Sequence, residues 1–147
     1  MSKLTYSITL SAPADKLIKI ITDYENLNNF APKNMKKIKI IQKNQEGVTT
    51  EEILVFKTII KNEIIQKTFH KSENNVILDT IIDGPAKGTT IETRFENVGS
   101  GTKVIINIDL RLNFKAKIFS PLVKKVYKQM ITGILYKINT KACFGDL

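Results

Sequence analysis

Residues 99–138 read GSGTKVIINIDLRLNFKAKIFSPLVKKVYKQMITGILYKI, and a change of period inside this stretch decides the fold. Gly99-Ser100-Gly101 predicts a tight hairpin. Val104, Ile106, Ile108, Leu110 and Leu112 then alternate with Lys103, Asn107, Asp109 and Arg111, the period of two of a half-buried strand. Further on the apolar spacing becomes three and four. Phe119, Leu122, Val123, Val126, Met130, Ile134 and Ile138 form one helical stripe, with Lys117, Lys124, Lys128 and Asn139 opposite it. This helix starts at Pro121 with Ser120 as N-cap, or near Ala116 with a bend at Pro121. Gly133 in its middle disfavours helix by about 1 kcal/mol relative to Ala. Close approach to the sheet, or room for a ligand, would explain it.

Upstream the same period of two recurs. Leu4, Tyr6, Ile8 and Leu10 share one face of a first strand, stopped by Ser11-Ala12-Pro13. Pro13 suits the first position of a helix and Asp15 its positive end, and Leu17, Ile18, Ile21 and Tyr24 follow at helical spacing. A short helical turn over Glu25–Phe30 ends at Ala31-Pro32. Met35–Gln42, Val48–Phe56, Ile59–Phe69 and Val76–Ile82 read as strands. The turn Asp83–Gly88 leads to another, with Thr89, Ile91, Thr93 and Phe95 on one face. The expected fold class is α+β: a curved antiparallel sheet of about seven strands wrapped around a long C-terminal helix, with one or two short helices after the first strand. Residues 1–147 read as a single domain.

Composition narrows the function classes. With Cys143 as the only cysteine no internal disulfide can form, and neither a leader peptide nor a long apolar span is evident, so a cytoplasmic location is expected. Cys143 stands fifth from the end, where a prenylation box needs fourth. The net charge is +9, but Arg94 and Arg111 are the only arginines. Arginine is the usual residue for bidentate phosphate and base contacts, so nucleic acid is not the expected partner. With one His and one Cys, no metal site of the usual kind can be assembled, and no cofactor is expected. Gly84-Pro85-Ala86-Lys87-Gly88 lacks the order of a phosphate loop.

Several landmarks resemble one family. Ser11-Ala12-Pro13-Ala14-Asp15-Lys16-Leu17 leads a strand into a helix, and Ile21-Thr22-Asp23-Tyr24-Glu25-Asn26-Leu27 is followed by Phe30-Ala31-Pro32. Gly84…Gly88 and Gly99-Ser100-Gly101-Thr102 punctuate the last hairpins. Together these resemble the START/Bet v 1-like (SRPBCC, helix-grip) superfamily, and within it the polyketide cyclase/dehydrase and coenzyme Q-binding groups. The resemblance covers nearly the whole chain. It implies binding of a hydrophobic small molecule, such as a lipid or isoprenoid quinone, in an internal cavity. Cyclase or dehydratase chemistry in that cavity is the alternative, and a ribosome- or RNA-associated module the second.

The expected cavity wall takes Phe30 from the helical turn, and Leu54 and Phe56 from the third strand. Leu78 and Thr80 follow from the fifth, and Ile91, Thr93 and Phe95 from the sixth. Ile106 and Ile108 come from the last strand, and Phe119, Leu122, Val126, Met130 and Ile134 from the helix. The fourth strand has two registers. One turns Ile64, Gln66, Thr68 and His70 inward, and Gln66 and His70 could then orient the ligand's polar end. The other turns Glu63, Ile65, Lys67 and Phe69 inward, and a one-residue slip decides between them; the alternative for His70 itself, slightly favoured, is a surface residue beside the Ser72–Asn75 turn. Glu51 and Glu52 point to opposite faces, and Asp79 and Asp83 are expected to share the solvent face; no catalytic residue is assigned. A buried His70 or Glu52 would favour an enzyme, and a lining polar only in threonines a carrier. The lysine-rich face Lys117, Lys124, Lys125 and Lys128 reads first as a solvated helix face, with peripheral, electrostatic contact with anionic membrane as the alternative. A monomer or weak homodimer is expected.

Overall fold

Seven strands in the order β1-β7-β6-β5-β4-β3-β2, every neighbouring pair antiparallel, form one sheet in the computed structural model, which describes residues 2–57 and 61–145. The strands are β1 (Ser2–Leu10), β2 (Met35–Lys43), β3 (Val48–Lys57), β4 (Lys61–Glu73), β5 (Val76–Asp83), β6 (Thr90–Val98) and β7 (Gly101–Leu110). The expected strand start at Ile59 lies outside the described residues. Helix α1 (Ala14–Ile21) and a 3₁₀ turn (Leu27–Phe30) follow β1, and α2 (Ser120–Phe144) closes the chain after a second 3₁₀ turn (Lys117–Phe119). This is the helix-grip arrangement, a curved sheet around a long helix. Pro121 neither bends α2 nor opens it. It stands in the first turn, where a missing N–H is tolerated.

Alternation in β7 sets the core. Thr102, Val104, Ile106, Ile108 and Leu110 are all buried, and the facing stripe of α2 supplies Val123, Val126, Tyr127, Met130, Ile134, Leu135 and Ile138. Polar contacts fix the helix against β1 and α1: the Ala12 N–H donates to Asn139 Oδ1 at 2.9 Å and the Thr132 hydroxyl to Tyr6 at 3.3 Å. The segment after α1 is clamped onto β2. Asn28 donates to the Ile38 carbonyl at 2.6 Å and accepts from the Ile38 N–H at 2.7 Å. That clamp holds Tyr24 and Leu27 over the concave face, both buried. Gly133 has its reason here too. A Cβ at that position would stand 3.2 Å from the Pro32 side chain, so the close approach is to the segment before β2 rather than to the sheet.

The register of β5 corrects the sequence reading. Ile77 and Ile81 are buried, whereas Leu78 is exposed and Thr80 shares its outer face. Leu78 pairs with Lys71 and Thr80 with Phe69. Both faces of Val76–Ile82 are apolar, so alternation alone could not choose between them. Asp79 looks like a solvent residue and biases the choice the wrong way. Asp79 in fact faces inward opposite His70, and only Asp83, beyond the irregularity at Lys67 and Thr68, is on the solvent side.

Candidate functional site

Among the described residues, two cavities lie between the sheet and α2. The first, of about 90 Å³, is walled by Tyr24 and Leu27 above and by Glu52, Gln66, Thr68, His70, Asp79, Ile91 and Thr93 on the sheet. Tyr127, Met130 and Ile134 close it from the helix. The second, of about 160 Å³, is lined by Phe56, Ile64, Pro85, Ala86, Leu112, Ala116, Phe119, Leu122 and Val123. A dry apolar cavity near 150 Å³ can hold a benzene ring, so the second chamber is ring-sized and the first admits a smaller group. Gln66 and Tyr127 belong to both walls, and the Tyr127 hydroxyl donates to Gln66 Oε1 at 2.9 Å. That hydrogen bond is the partition between the chambers.

The fourth strand takes the register that turns Gln66, Thr68 and His70 inward. His70 is 8% exposed and not a surface residue. Its placement follows from pairing: it stands opposite Val48, the first residue of β3, and Asp79 on β5, within the ladder rather than in the 72–75 turn. Four polar side chains then join in sequence. Asp79 Oδ1 is 2.7 Å from His70 Nδ1, and His70 Nε2 is 2.7 Å from Thr50 Oγ1. Thr50 Oγ1 donates to Glu52 Oε1 at 3.2 Å. The Tyr24 ring stacks on the imidazole, with centroids 4.4 Å apart and planes at 28°. Glu52 Oε2 and Thr68 Oγ1 are buried without a hydrogen-bond partner among the described residues.

Burial and neighbours set the protonation of this chain. Burial pushes the Glu52 carboxyl up to about 7, against the opposing pull of the Thr68 and Thr50 hydroxyls and the His70 charge. For His70, burial works downward, but the charge and hydrogen bond of Asp79, helped by Glu52, carry the imidazole above its ordinary value. Burial and the nearby Glu52 raise the Tyr127 phenol, which stays a hydrogen-bond donor at neutral pH. Among the described residues no three His, Cys, Asp or Glu side chains converge on a metal position.

The expected wall residues divide three ways. Gln66, His70, Ile91, Thr93, Met130 and Ile134 line the first chamber, and Phe56, Phe119 and Leu122 the second. Leu54, Phe95, Ile106, Ile108 and Val126 are buried in the solid core without bordering either, and Phe30 packs on its edge. Leu78 and Thr80 lie on the opposite face of the sheet. Phe119 is outside α2 and 52% exposed, at the rim of the second chamber rather than on the buried stripe. Tyr127 escaped the sequence reading although its spacing from Val123 and Met130 is helical. Asp79 and Thr50 carried no signal apart from the pairing that brings them to His70.

Replacing Tyr127 by Phe should destabilise the protein by about 1–3 kcal/mol, because Gln66 Oε1 loses its donor inside the core. Adding Gln66→Leu should recover most of that loss, since removing both partners leaves nothing unpaired. Urea unfolding of the three variants measures both effects, and equal stability of parent and Tyr127→Phe would mean that the partition is open to water.

Residues 10–137 match the sequence model of a family described as polyketide cyclase / dehydrase and lipid transport. No curated protein matches the chain in sequence. Among solved structures, a Thermus thermophilus protein superposes with a TM-score of 0.82 at 13% identity, covering 99% of this chain and 100% of its own. The Zhui aromatase/cyclase of Streptomyces sp. R1128 gives 0.81 at 13% identity, over 96% of this chain and 93% of that one. A START superfamily protein of Mycobacterium smegmatis gives 0.75 at 14% identity, over 95% and 96%. Likeness at these identities establishes the fold.

Proposed function

We propose, from the premise that this chain belongs to the polyketide cyclase / dehydrase and lipid transport family, that it binds a hydrophobic small molecule with a carbonyl head and moves protons on that head. The observation that carries this reading is the buried sequence Asp79–His70–Thr50–Glu52 in and behind the wall of the first chamber. An apolar lining broken only by threonines would have suited a passive carrier. A carboxyl titrating near neutrality beside an imidazole suits acid–base work, because proton transfer is most effective when the group's pKa lies near the working pH.

Two proton arrangements fit the heavy atoms. In one, Glu52 is neutral and donates to Thr50, Thr50 donates to His70 Nε2, and neutral His70 donates from Nδ1 to Asp79. In the other, Glu52 is charged, the Thr50 hydroxyl points to it, and His70 is an imidazolium donating to both Thr50 and Asp79. They differ by proton hops through the Thr50 hydroxyl, with no heavy atom displaced. Thr50 is fully buried, which suits a relay and not a nucleophile.

With a ligand's tail in the second chamber and its carbonyl in the first, the Gln66–Tyr127 bond opens and the Tyr127 O–H turns to the carbonyl oxygen. Charged Glu52 takes a proton at Oε2 from the carbon beside the carbonyl. The C–H electron pair moves to oxygen as an enolate, which the Tyr127 donor stabilises. Proton return to carbon gives exchange. Where a hydroxyl sits one carbon further, its departure as water with a proton from the cluster gives dehydration. The test is deuterium uptake by a hydrophobic methyl ketone in D2O, followed by mass spectrometry. Catalysed uptake is expected. Uptake at the buffer rate, for ketones that displace a bound fluorescent lipid analogue, would rule out the chemistry.

Holding a lipid or isoprenoid quinone without turnover is the second reading, and the apolar lining of the second chamber favours it. Met130→Trp tests whether either chamber takes a ligand. Met130 borders the first chamber midway along α2. In a hollow site the indole fills space, so stability holds while binding of the fluorescent analogue falls. In a solid core it forces neighbours apart and removes about 1–3 kcal/mol of stability. That loss, with no analogue binding by the parent, would exclude a small-ligand function and leave the macromolecular partner.

A further inference from the structure

We propose that the segment leading into α2 docks this protein on a bilayer surface carrying anionic lipid, and that it does so at the mouth of the second chamber. The inference stands apart from the chemistry of the first chamber. Three large apolar side chains crowd the segment: Phe114 is 89% exposed, Ile118 79% and Phe119 52%. Scattered single apolar residues on a surface need no explanation, but three within six positions form a patch. Ala116 and Phe119 also line the second chamber, so the patch and the apolar cavity are continuous.

The charge around the patch identifies its partner. Between Asp109 and Asp146 the sequence has no acidic residue, while Arg111, Lys115, Lys117, Lys124, Lys125, Lys128, Lys137 and Lys141 are all basic. Lys115 and Lys117 alternate with the exposed Phe114 and Ile118 and the half-buried Ala116. The adjoining loop before β6, tied to this segment by the Asn113 N–H to Pro85 carbonyl bond of 3.0 Å, adds exposed Lys87. Apolar tips between lysines suit the boundary between acyl chains and phosphate headgroups, where each side chain finds its own solvent. Nucleic acid would also attract the lysines. Ile118, however, has no ring to stack on a base, and hydrocarbon is the solvent in which its exposure stops being unfavourable.

The test is flotation of the full chain with phosphatidylcholine vesicles, with and without phosphatidylglycerol. The parent should float with the anionic vesicles and stay behind with the neutral ones. Phe114→Ser/Ile118→Ser should lower the bound fraction about tenfold without touching charge, and Lys115→Glu/Lys117→Glu should do so without touching the apolar tips. All four side chains are exposed, and unchanged unfolding transitions confirm that each variant is folded. Failure of the parent to float overturns the proposal, as does flotation of the serine variant at the parental level. So does single-stranded RNA that competes the parent off the vesicles, in a manner unaffected by the serine changes, because it would mean that the lysines serve nucleic acid.

Discussion

His70→Gln should slow proton exchange on a bound ketone by about 10²–10⁴-fold, the usual contribution of a positioned acid or base. Glutamine spans much the same space and can still donate to Asp79 and meet the Thr50 hydroxyl, so the wall of the first chamber should survive. It cannot take up a proton, so the relay ends at Thr50 and Glu52 is left to exchange with water unaided. Thr50→Val keeps the shape and removes only the hydroxyl between Glu52 and His70. Its rate should fall toward that of His70→Gln, and the double variant should be no slower than the worse single one, because both break the same path. Asp79→Asn leaves the imidazole hydrogen-bonded but takes away the charge that raises its pKa. The pH-rate profile of that variant should therefore lose its imidazolium limb at lower pH than the parent's. If His70→Gln exchanges at the parental rate while Glu52→Gln does not exchange at all, the carboxyl works alone and His70 only braces it.

The sequence shows the fold more clearly than the site, for a physical reason. A strand with one face on the core must alternate, and β7 does so without a break from Thr102 to Leu110. The period switch into α2 is as plain. A wall residue is legible only where its strand is apolar on one side alone. In β6 Ile91, Thr93 and Phe95 stand against Glu92, Arg94 and Glu96, and the reading holds. In β5 both sides are apolar, and the one residue that breaks the pattern, Asp79, is inward because His70 is there to receive it. No one-strand pattern can show that. The cluster depends on three strands meeting in register, Thr50 and Glu52 on β3, His70 on β4 and Asp79 on β5, residues up to 29 positions apart in the chain. Buried polar groups of this kind violate local patterning, which is where sites tend to be found.

Glu52→Gln should make the protein more stable at pH 8, and the sign follows from linkage. The carboxyl titrates at about 7 in the folded protein against an ordinary 4.5, so between these values the folded state holds a proton that the unfolded state has released. Its contribution to stability is complete below about 4.5 and is lost as the pH rises through 7. A gap of that size corresponds to a loss on the order of 3 kcal/mol. Glutamine occupies the same space, accepts from Thr50 and carries no charge to desolvate, so the variant has no such loss. The two proteins should unfold at similar urea concentrations near pH 4.5, and the variant should gain as the pH is raised toward 8. His70, whose folded value is also raised, gives stability that is present below 6.5 and lost as the pH rises through its folded value. Glu52 is the smallest of the influences that raise His70, after the charge and hydrogen bond of Asp79, so most of that slope is common to both proteins and their difference reports chiefly the carboxyl. A parent as stable as the variant at pH 8 would mean that the Glu52 charge is fully compensated in the fold. Such a carboxylate would be too weak a base near neutrality to take a proton from carbon, and the chemistry proposed for the first chamber would lose its acceptor.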